Sequence, residues 1–247
     1  MHRIWPDPDP TPLSDEALTA LYEPAGPGVR MNFVTSVDGA AEIEGRSAGL
    51  GNPPDKKVFG LLRQYPDGLL VGAGTLRQEE YHAVRLDPAR RAWREARGLD
   101  AYPRLIVISR RPDLSPTQGA FAEAPRRPII LTTEDAPPDR VTALSVVADV
   151  VAFGRGSVDL AACLADLRER GIATILSEGG PRLFGSLTAA DLVDEVCLTV
   201  SPLLAGPGAG RITAGPPSPV RSLALAHILY AQDAILLRYV RGSAGGP

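Results

Sequence analysis

Short β-branched and apolar runs alternate along this chain with segments whose apolar residues return every three or four positions, and the two periods mark strands and helices. Ser14 and Asp15 cap a short helix that runs through Leu21 and Tyr22. The first strong strand is VRMNFVTSV at 29–37; it stops at Asp38-Gly39, a turn dipeptide, and AAEIEGRS follows as a hairpin return or a loop over a site. From Pro53, PPDKKVFGLLRQY places Val58, Leu61, Leu62 and Tyr65 on one helical face. GLLVGAGT is then a buried strand with a glycine-rich exit, and PARRAWREARG an arginine-rich helix. Strands are expected at RLIVIS, RPIILTT and near VVADVVAF, followed by the helix SVDLAACLADLRERG with Ser157 as N-cap and Gly171 as its stop. IATILS is a strand, PRLFGSL a helix, VDEVCLTVSPLL a strand, and LALAHILYAQDAILLRYVR two antiparallel edge strands. The alternation predicts an α/β fold with a largely parallel sheet, helices on its faces and an antiparallel edge.

Composition narrows the class. With 247 residues, 44% of them hydrophobic, the chain can bury one sizeable core. It reads as an N-terminal extension at 1–28, one domain at 29–241 and a flexible tail at 242–247, with no internal repeat. A net charge of -3 supplies no basic field for nucleic acid. No uncharged run is long enough to span a bilayer and no signal-peptide core opens the chain, so no membrane partner is expected. Cys163 and Cys197, the two cysteines, read as buried apolar residues of a cytoplasmic protein. His2, His82 and His227 are scattered and no GxSxG elbow occurs, which disfavours metal and triad chemistry; no metal is expected.

Three stretches and one acid remain as candidate chemistry. GLLVGAGTLR at 68–77 delivers Gly72, Gly74 and Thr75 to a carboxyl edge where open α/β sheets bind ligands. It fails the dinucleotide fingerprint because Arg77 stands where the third glycine belongs, so a plain turn is the alternative. RLIVISRRPDL ends a strand at Ser109 and follows it with Arg110 and Arg111, a way to grip the 2′-phosphate of NADPH with guanidinium forks; a solvated basic loop is the alternative. LSEGGPRLFGSL sets Gly179, Gly180 and Pro181 between a strand and a helix. That arrangement suits close approach of a phosphate to free N–H groups, or an ordinary βα turn. Asp38, at the mouth of the first strand, can bind the amide and amine edges of a substrate, move a proton, or simply close its turn.

In this order, SVDG at 36–39, VGAGT at 71–75, VISRRP at 107–112, LSEGGP at 176–181 and DEVCLTVSPLLAG at 194–206 resemble the pyrimidine reductase family. That family is typified by the C-terminal reductase domain of the bifunctional riboflavin-biosynthesis deaminase-reductase and has a dihydrofolate reductase-like fold. The resemblance implies an NADPH-dependent oxidoreductase, a homodimer, acting on a small pyrimidine substrate of the 5-amino-6-ribosylamino-uracil phosphate type. There the sugar opens and hydride reaches C1′, giving the ribityl chain. It implies that Val71, Gly72, Ala73, Gly74 and Thr75 face the cofactor and that Ser109, Arg110 and Arg111 grip the adenosine 2′-phosphate. Glu178, Gly179 and Gly180, with Pro181, Arg182 and Leu183, would seat the pyrophosphate. Asn32, Ser36, Asp38 and Glu79 fall on the substrate side, with Asp38 the first choice for the polar group nearest the substrate. The chain departs from the family where Ala40 and Ala41 replace a basic residue after SVDG, and where Glu79-Glu80-Tyr81 replaces an Asp-x-Pro segment. Arg46, Lys56, Lys57 or Arg85 are possible replacements for the lost charge. A dihydrofolate-reductase-like activity on a reduced pterin, and a non-catalytic NADPH-binding protein, are the competing readings. No zinc-binding deaminase module accompanies the reductase motifs.

Overall fold

The computed structural model describes residues 1–242; of the tail expected at 242–247, residues 243–247 lie outside the described residues. In chain order the elements are β1 (His2–Trp5), α1 (Asp15–Leu21), β2 (Gly28–Ser36), α2 (Pro53–Leu62), β3 (Gly68–Gly72), α3 (Ala73–Gln78), α4 (Pro88–Glu95), β4 (Arg104–Ile108) and α5 (Gly119–Ala122). They continue with β5 (Ile129–Thr132), α6 (Pro138–Ser145), β6 (Asp149–Ala152), α7 (Leu160–Glu169), β7 (Thr174–Ser177), α8 (Pro181–Ala189), β8 (Glu195–Ser201), β9 (Leu223–Ala231) and β10 (Ala234–Arg241). Chain contacts group these into two units, one of Met1–Leu62 with the chain from Pro181 onward, the other Arg63–Gly180. Among the described residues no helix is long and apolar enough to cross a membrane.

The Arg63–Gly180 unit carries strands in the order β7-β3-β4-β5-β6, every pair parallel. Their sequences are apolar runs rather than alternations because both faces are covered. Leu69, Leu70, Val71, Ile106, Val107, Ile129, Ile130 and Leu131 are each 0% exposed, and full burial of such a side chain contributes roughly 1.5–3 kcal/mol. Parallel pairing brings the carboxyl ends of all five strands to one edge. The glycine-rich exit of β3 does not continue as strand or loop: Gly72 is an extended N-cap and the chain turns at once into α3, so Gly74 and Thr75 stand in a helical first turn. A second correction concerns α7. Its N-cap is Asp159, whose carboxylate accepts from Ala162 N at 3.0 Å, rather than Ser157, which lies too far ahead of the first turn to reach its free N–H groups. Gly171, at φ +77°, ends the segment as expected.

The other unit orders its strands β1-β9-β10-β8-β2. β2 and β8 run parallel, while β8, β10, β9 and β1 pair antiparallel. The C-terminal hairpin is therefore not at the edge, as its sequence suggested, because β1 pairs with β9. AAEIEGRS forms a loop closed by an Ile43–Arg46 bridge rather than a strand. Ser14 caps α1 by accepting from Ala17 N at 3.1 Å. One face of this sheet buries charge. The Glu195 carboxylate lies 2.6 Å from Arg30 Nε and 2.7 Å from Arg238 Nε, and Arg238 also donates to the carbonyls of Leu21 and Glu23, tying the end of α1 to β10. His227, 2% exposed, packs edge-on against Tyr22; burial, with Arg238 nearby, lowers its pKa to about 4. Both cysteines are buried, and burial pushes each thiol up to about 12, as inert core residues require.

Candidate functional site

Two of the sequence motifs meet at the carboxyl edge of the Arg63–Gly180 unit. Glu178 N donates to Leu70 O at 3.0 Å and Gly72 N donates to Gly179 O at 2.8 Å, so the turn after β7 is bonded to the end of β3. Gly179 takes φ +93°, and the Gly179–Gly180 peptide is cis; a left-handed φ is what a residue without Cβ accepts readily. At Gly180 an added Cβ would stand 2.5 Å from Thr75 Oγ1. The glycine is thus required by the packing of the two motifs on each other. Gly74 differs: nothing lies within 4 Å of the Cβ position, and the residue is exposed in the first turn of α3. Open space over a glycine beside a strand end is where a ligand can approach the backbone. Val71 and Ala73 are buried beneath this surface.

Ser109 follows β4 and is held by structural bonds. Its N–H donates to Leu131 O at 3.0 Å and its hydroxyl to Arg111 O at 2.7 Å, while the Arg110 carbonyl accepts from Thr133 Oγ1 at 3.1 Å. The backbone of the pair is fixed and both side chains are exposed. The acids that could quench them are engaged elsewhere. Asp113 pairs with Arg140 at 3.1 Å, Glu134 with Arg155 at 2.9 Å, and Asp135 accepts from Gly156 N at 3.1 Å. Among the described residues neither Arg110 nor Arg111 has an ion pair. An exposed, uncompensated pair of guanidinium forks on a fixed backbone suits a phosphate.

Glu178 does not present its carboxylate to this edge. It is bound bidentately by Arg63, at 2.6 Å to Nε and 2.7 Å to Nη2, and it contacts the Tyr81 hydroxyl. Arg63 Nη2 also reaches Tyr81 Oη at 2.9 Å. Burial alone would depress the Arg63 pKa, but the Glu178 carboxylate outweighs it and holds it above the ordinary value. Burial, then Glu178, raises the Tyr81 phenol. Sequence reading missed Arg63 and the pairing itself: Arg63 and Glu178 are 115 positions apart, and the local signal was an unusual tyrosine in place of the family's proline.

In the unit that contains β2, the SVDG turn is a closed hydrogen-bonded device. The Ser36 hydroxyl donates to the Asp38 carboxylate and accepts from Ala40 N at 2.9 Å, so Ser36, 1% exposed, spends its one donor within the turn. Asp38 Oδ2 accepts from Gly206 N at 2.8 Å and Oδ1 from Ala205 N at 3.2 Å. The Ser36 hydroxyl, then those two amides, holds its pKa below the usual 3.8, so at neutral pH it is an anion anchoring the chain after β8 and has no proton to give. Asn32 lies on β2 beside Cys197. Asp55, in the first turn of α2, behaves oppositely: burial raises its pKa although the Thr199 hydroxyl lowers it. Next to it, Asn52 caps α2 through Asp55 N at 2.9 Å and donates to Ser201 Oγ at 3.0 Å. Sequence reading passed over Asp55 because nothing local marks a half-buried acid. Pro181, Arg182 and Leu183 form the first turn of α8; Arg182 is exposed and Leu183 buried. Glu79 is the C-cap of α3, its N–H bonded to Thr75 O at 2.9 Å. Of the basic residues that could replace the lost family charge, Lys57 pairs with Asp15 at 2.7 Å and Arg85 donates to Glu123 O at 3.0 Å, whereas Lys56 is an exposed neighbour of Asp55.

A protein of Archaeoglobus fulgidus named 2,5-diamino-6-ribosylamino-4(3H)-pyrimidinone 5′-phosphate reductase is 28% identical over 181 residues, 73% of this chain and 82% of its own. A protein of the same name from Methanothermobacter thermautotrophicus is 30% identical over 188 residues, 73% of this chain and 80% of its own. The crystal structure of a pyrimidine reductase-like protein from Corynebacterium diphtheriae matches with a TM-score of 0.80 at 25% identity, over 87% of this chain and 91% of that one. The expected α/β class, mostly parallel with an antiparallel side, is the fold these proteins share. The model of the RibD C-terminal domain family matches residues 27–237, and the chain belongs to that family.

Proposed function

We propose that this protein is an NADPH-dependent reductase of a ribosylamino-pyrimidine 5′-phosphate, of the riboflavin-biosynthesis type. The observation that carries the reading is the joint geometry of the β3 exit, the 178–180 turn and the uncompensated Arg110–Arg111 pair along one parallel-sheet edge, in a chain of the RibD C-terminal domain family. The residues fit the coenzyme. Gly74 leaves its backbone open, Gly179 and Gly180 keep the neighbouring turn tight, and Arg110 and Arg111 offer donors for a 2′-phosphate that NADH lacks. The bound coenzyme supplies the hydride; the chain's own work is to bind, orient and handle the proton.

Of Asp38 and Asp55, both in the β2 unit, we assign Asp38 the organising role and Asp55 that of proton donor. Asp38 is ionised and spent on amide bonds, whereas Asp55 keeps its proton more readily than an exposed aspartate, as a general acid must. Exposed Lys56 beside it is the side chain available for a substrate phosphate. We also read the protein as a homodimer. Ile228, Leu198, Val200, Ile235 and Leu237 are only half-buried and Tyr230 is exposed, and cross-strand register sets Ile228, Leu237 and Leu198 side by side. A half-covered apolar sheet face is the kind of surface a two-fold partner buries. A cytoplasmic setting suits both the coenzyme and the buried free thiols.

The test is oxidation of NADPH, followed by nicotinamide absorbance, with the diamino-pyrimidinone ribosylamino phosphate, its deaminated uracil counterpart and dihydrofolate offered in turn. Turnover with one of the two pyrimidine phosphates and none with dihydrofolate is the expected result. Tight NADPH binding without oxidation by any of them would leave a binding protein and refute the reductase.

A further inference from the structure

We propose that Arg63 and Tyr81 are positioning residues of the coenzyme edge: with Glu178 they form a part-buried clamp that fixes the 178–180 turn and the far end of α3 before any ligand arrives. This rests on the reading above that the edge binds a nicotinamide dinucleotide.

The clamp's placement argues for that role. α3 has six residues, too few to be stable alone, yet its first turn carries the open Gly74. Its start is held by the Gly72–Gly179 bond. Past its end the chain is held by Tyr81, whose N–H donates to Leu76 O at 3.1 Å and whose hydroxyl sits on Glu178 and Arg63. Arg63 also lies over the Tyr81 ring, 5.6 Å from its centroid. The same Glu178 is the first residue of the glycine turn, so one carboxylate ties the turn to the loop that follows α3. Its side chain is 3% exposed and that of Arg63 21%. A buried ion pair is weak evidence for stability, because desolvation consumes much of its attraction. What a bidentate, hydrogen-bonded pair does supply is a defined geometry, and the geometry defined here is that of two turns facing the ligand edge. Rigid support of this kind strengthens binding by removing the cost of ordering those turns.

The clamp touches neither Arg110 nor Arg111, which gives it a signature. Removing it should weaken NADPH and NADH by the same factor, whereas loss of an arginine should weaken NADPH alone. The experiment uses the full chain with Tyr81→Phe and, because the first variant can prove mild, Arg63→Lys, which keeps the charge and loses the bidentate fork. Coenzyme dissociation constants are measured by titration with each nucleotide, together with the KM of the pyrimidine substrate and the Tm of the ligand-free protein. Expected are a rise of about tenfold in both coenzyme constants, an unchanged substrate KM, and a ligand-free Tm within a few degrees of the parent. Coenzyme constants within twofold of the parent in both variants overturn the clamp, as does a drop in Tm with affinity retained. If Arg110→Ala still weakens NADPH while the clamp variants do not, the coenzyme reading stands and only the clamp fails. If the unaltered protein binds neither nucleotide, the coenzyme reading falls and takes the clamp with it.

Discussion

Gly180→Ala separates two reasons for a glycine that the sequence cannot distinguish. Gly180 is not among the positive-φ residues, and the penalty expected for alanine is steric. The new methyl would stand 2.5 Å from Thr75 Oγ1 but 3.9 Å from Thr75 Cβ, so the clash is with one oxygen. Thr75 is β-branched and sits in the first turn of α3, where its rotamers are restricted. Relieving the contact therefore moves the helix start or the turn, at the about 1–3 kcal/mol typical of overpacking. For a chain of this length each kcal/mol lowers Tm by about 2–4 °C. Thr75→Ala removes the oxygen and leaves an ordinary contact at Cβ. The double variant should then recover most of the Tm lost by Gly180→Ala, with a coupling of about 1 kcal/mol or more in the cycle.

Coenzyme affinity is read on the same four proteins. If the turn also faces the pyrophosphate, the methyl group at 180 obstructs it whether or not Thr75 keeps its hydroxyl. The double variant should then bind NADPH at least tenfold more weakly than Thr75→Ala alone, about 1.4 kcal/mol. Equal affinity of those two proteins would refute the phosphate-seat role and leave Gly180 as a packing residue. Additive Tm losses would refute the clash itself.

The remaining predictions test other parts of the molecule. Arg110→Ala or Arg111→Ala should cost NADPH roughly 1.5–3 kcal/mol each while leaving NADH unaffected, measured by titration; equal losses for both nucleotides would remove the 2′-phosphate role. Asp55→Asn should lower kcat by about a hundredfold or more, the scale of a lost general acid, with coenzyme affinity unchanged; near-normal turnover would exclude Asp55. His227 has a folded pKa of about 4 against an ordinary 6.5, so it contributes stability that is full above pH 6.5 and lost as pH falls from there toward 4, about 3 kcal/mol in all. His227→Phe should flatten the Tm–pH curve across that window, and an unchanged slope would contradict the buried neutral imidazole. Leu237→Glu should convert a light-scattering mass of twice the chain to that of one chain with turnover chemistry still measurable; a monomeric parent protein would refute the dimer.

How far the chain could be read in advance depended on the range of the interaction concerned. Strands such as RLIVIS and IATILS were legible because burial on both faces makes them continuous apolar runs. The helix at 160–169 showed the three-and-four spacing of a half-buried face, though its cap did not, since Ser157 and Asp159 are both good capping types and only backbone geometry chooses between them. α3 was hidden because Gly74 and Thr75 are poor helix formers, and tertiary bonds from the 178–180 turn hold what propensity would not. β1 was hidden because HRIW is only four residues and acquires meaning only when β9 lies beside it.

The site followed the same rule at higher stakes. Residue types at the glycine turns and the arginine pair were legible as candidate chemistry, because φ, the absence of Cβ and guanidinium geometry are properties of single residues. Roles that depend on a distant partner were not legible. Asp38 has the right type and place for a catalytic acid, but its carboxylate is committed to amides 167 and 168 positions away, and that commitment, not its identity, fixes its charge state. Glu178 looks like a ligand contact in its motif, yet Arg63 has claimed both its oxygens. Asp55 carries no motif at all, and burial raises its pKa against the lowering by the Thr199 hydroxyl. In each case the side chain's charge state is decided by what the fold brings against it, which the residue type in a motif does not reveal.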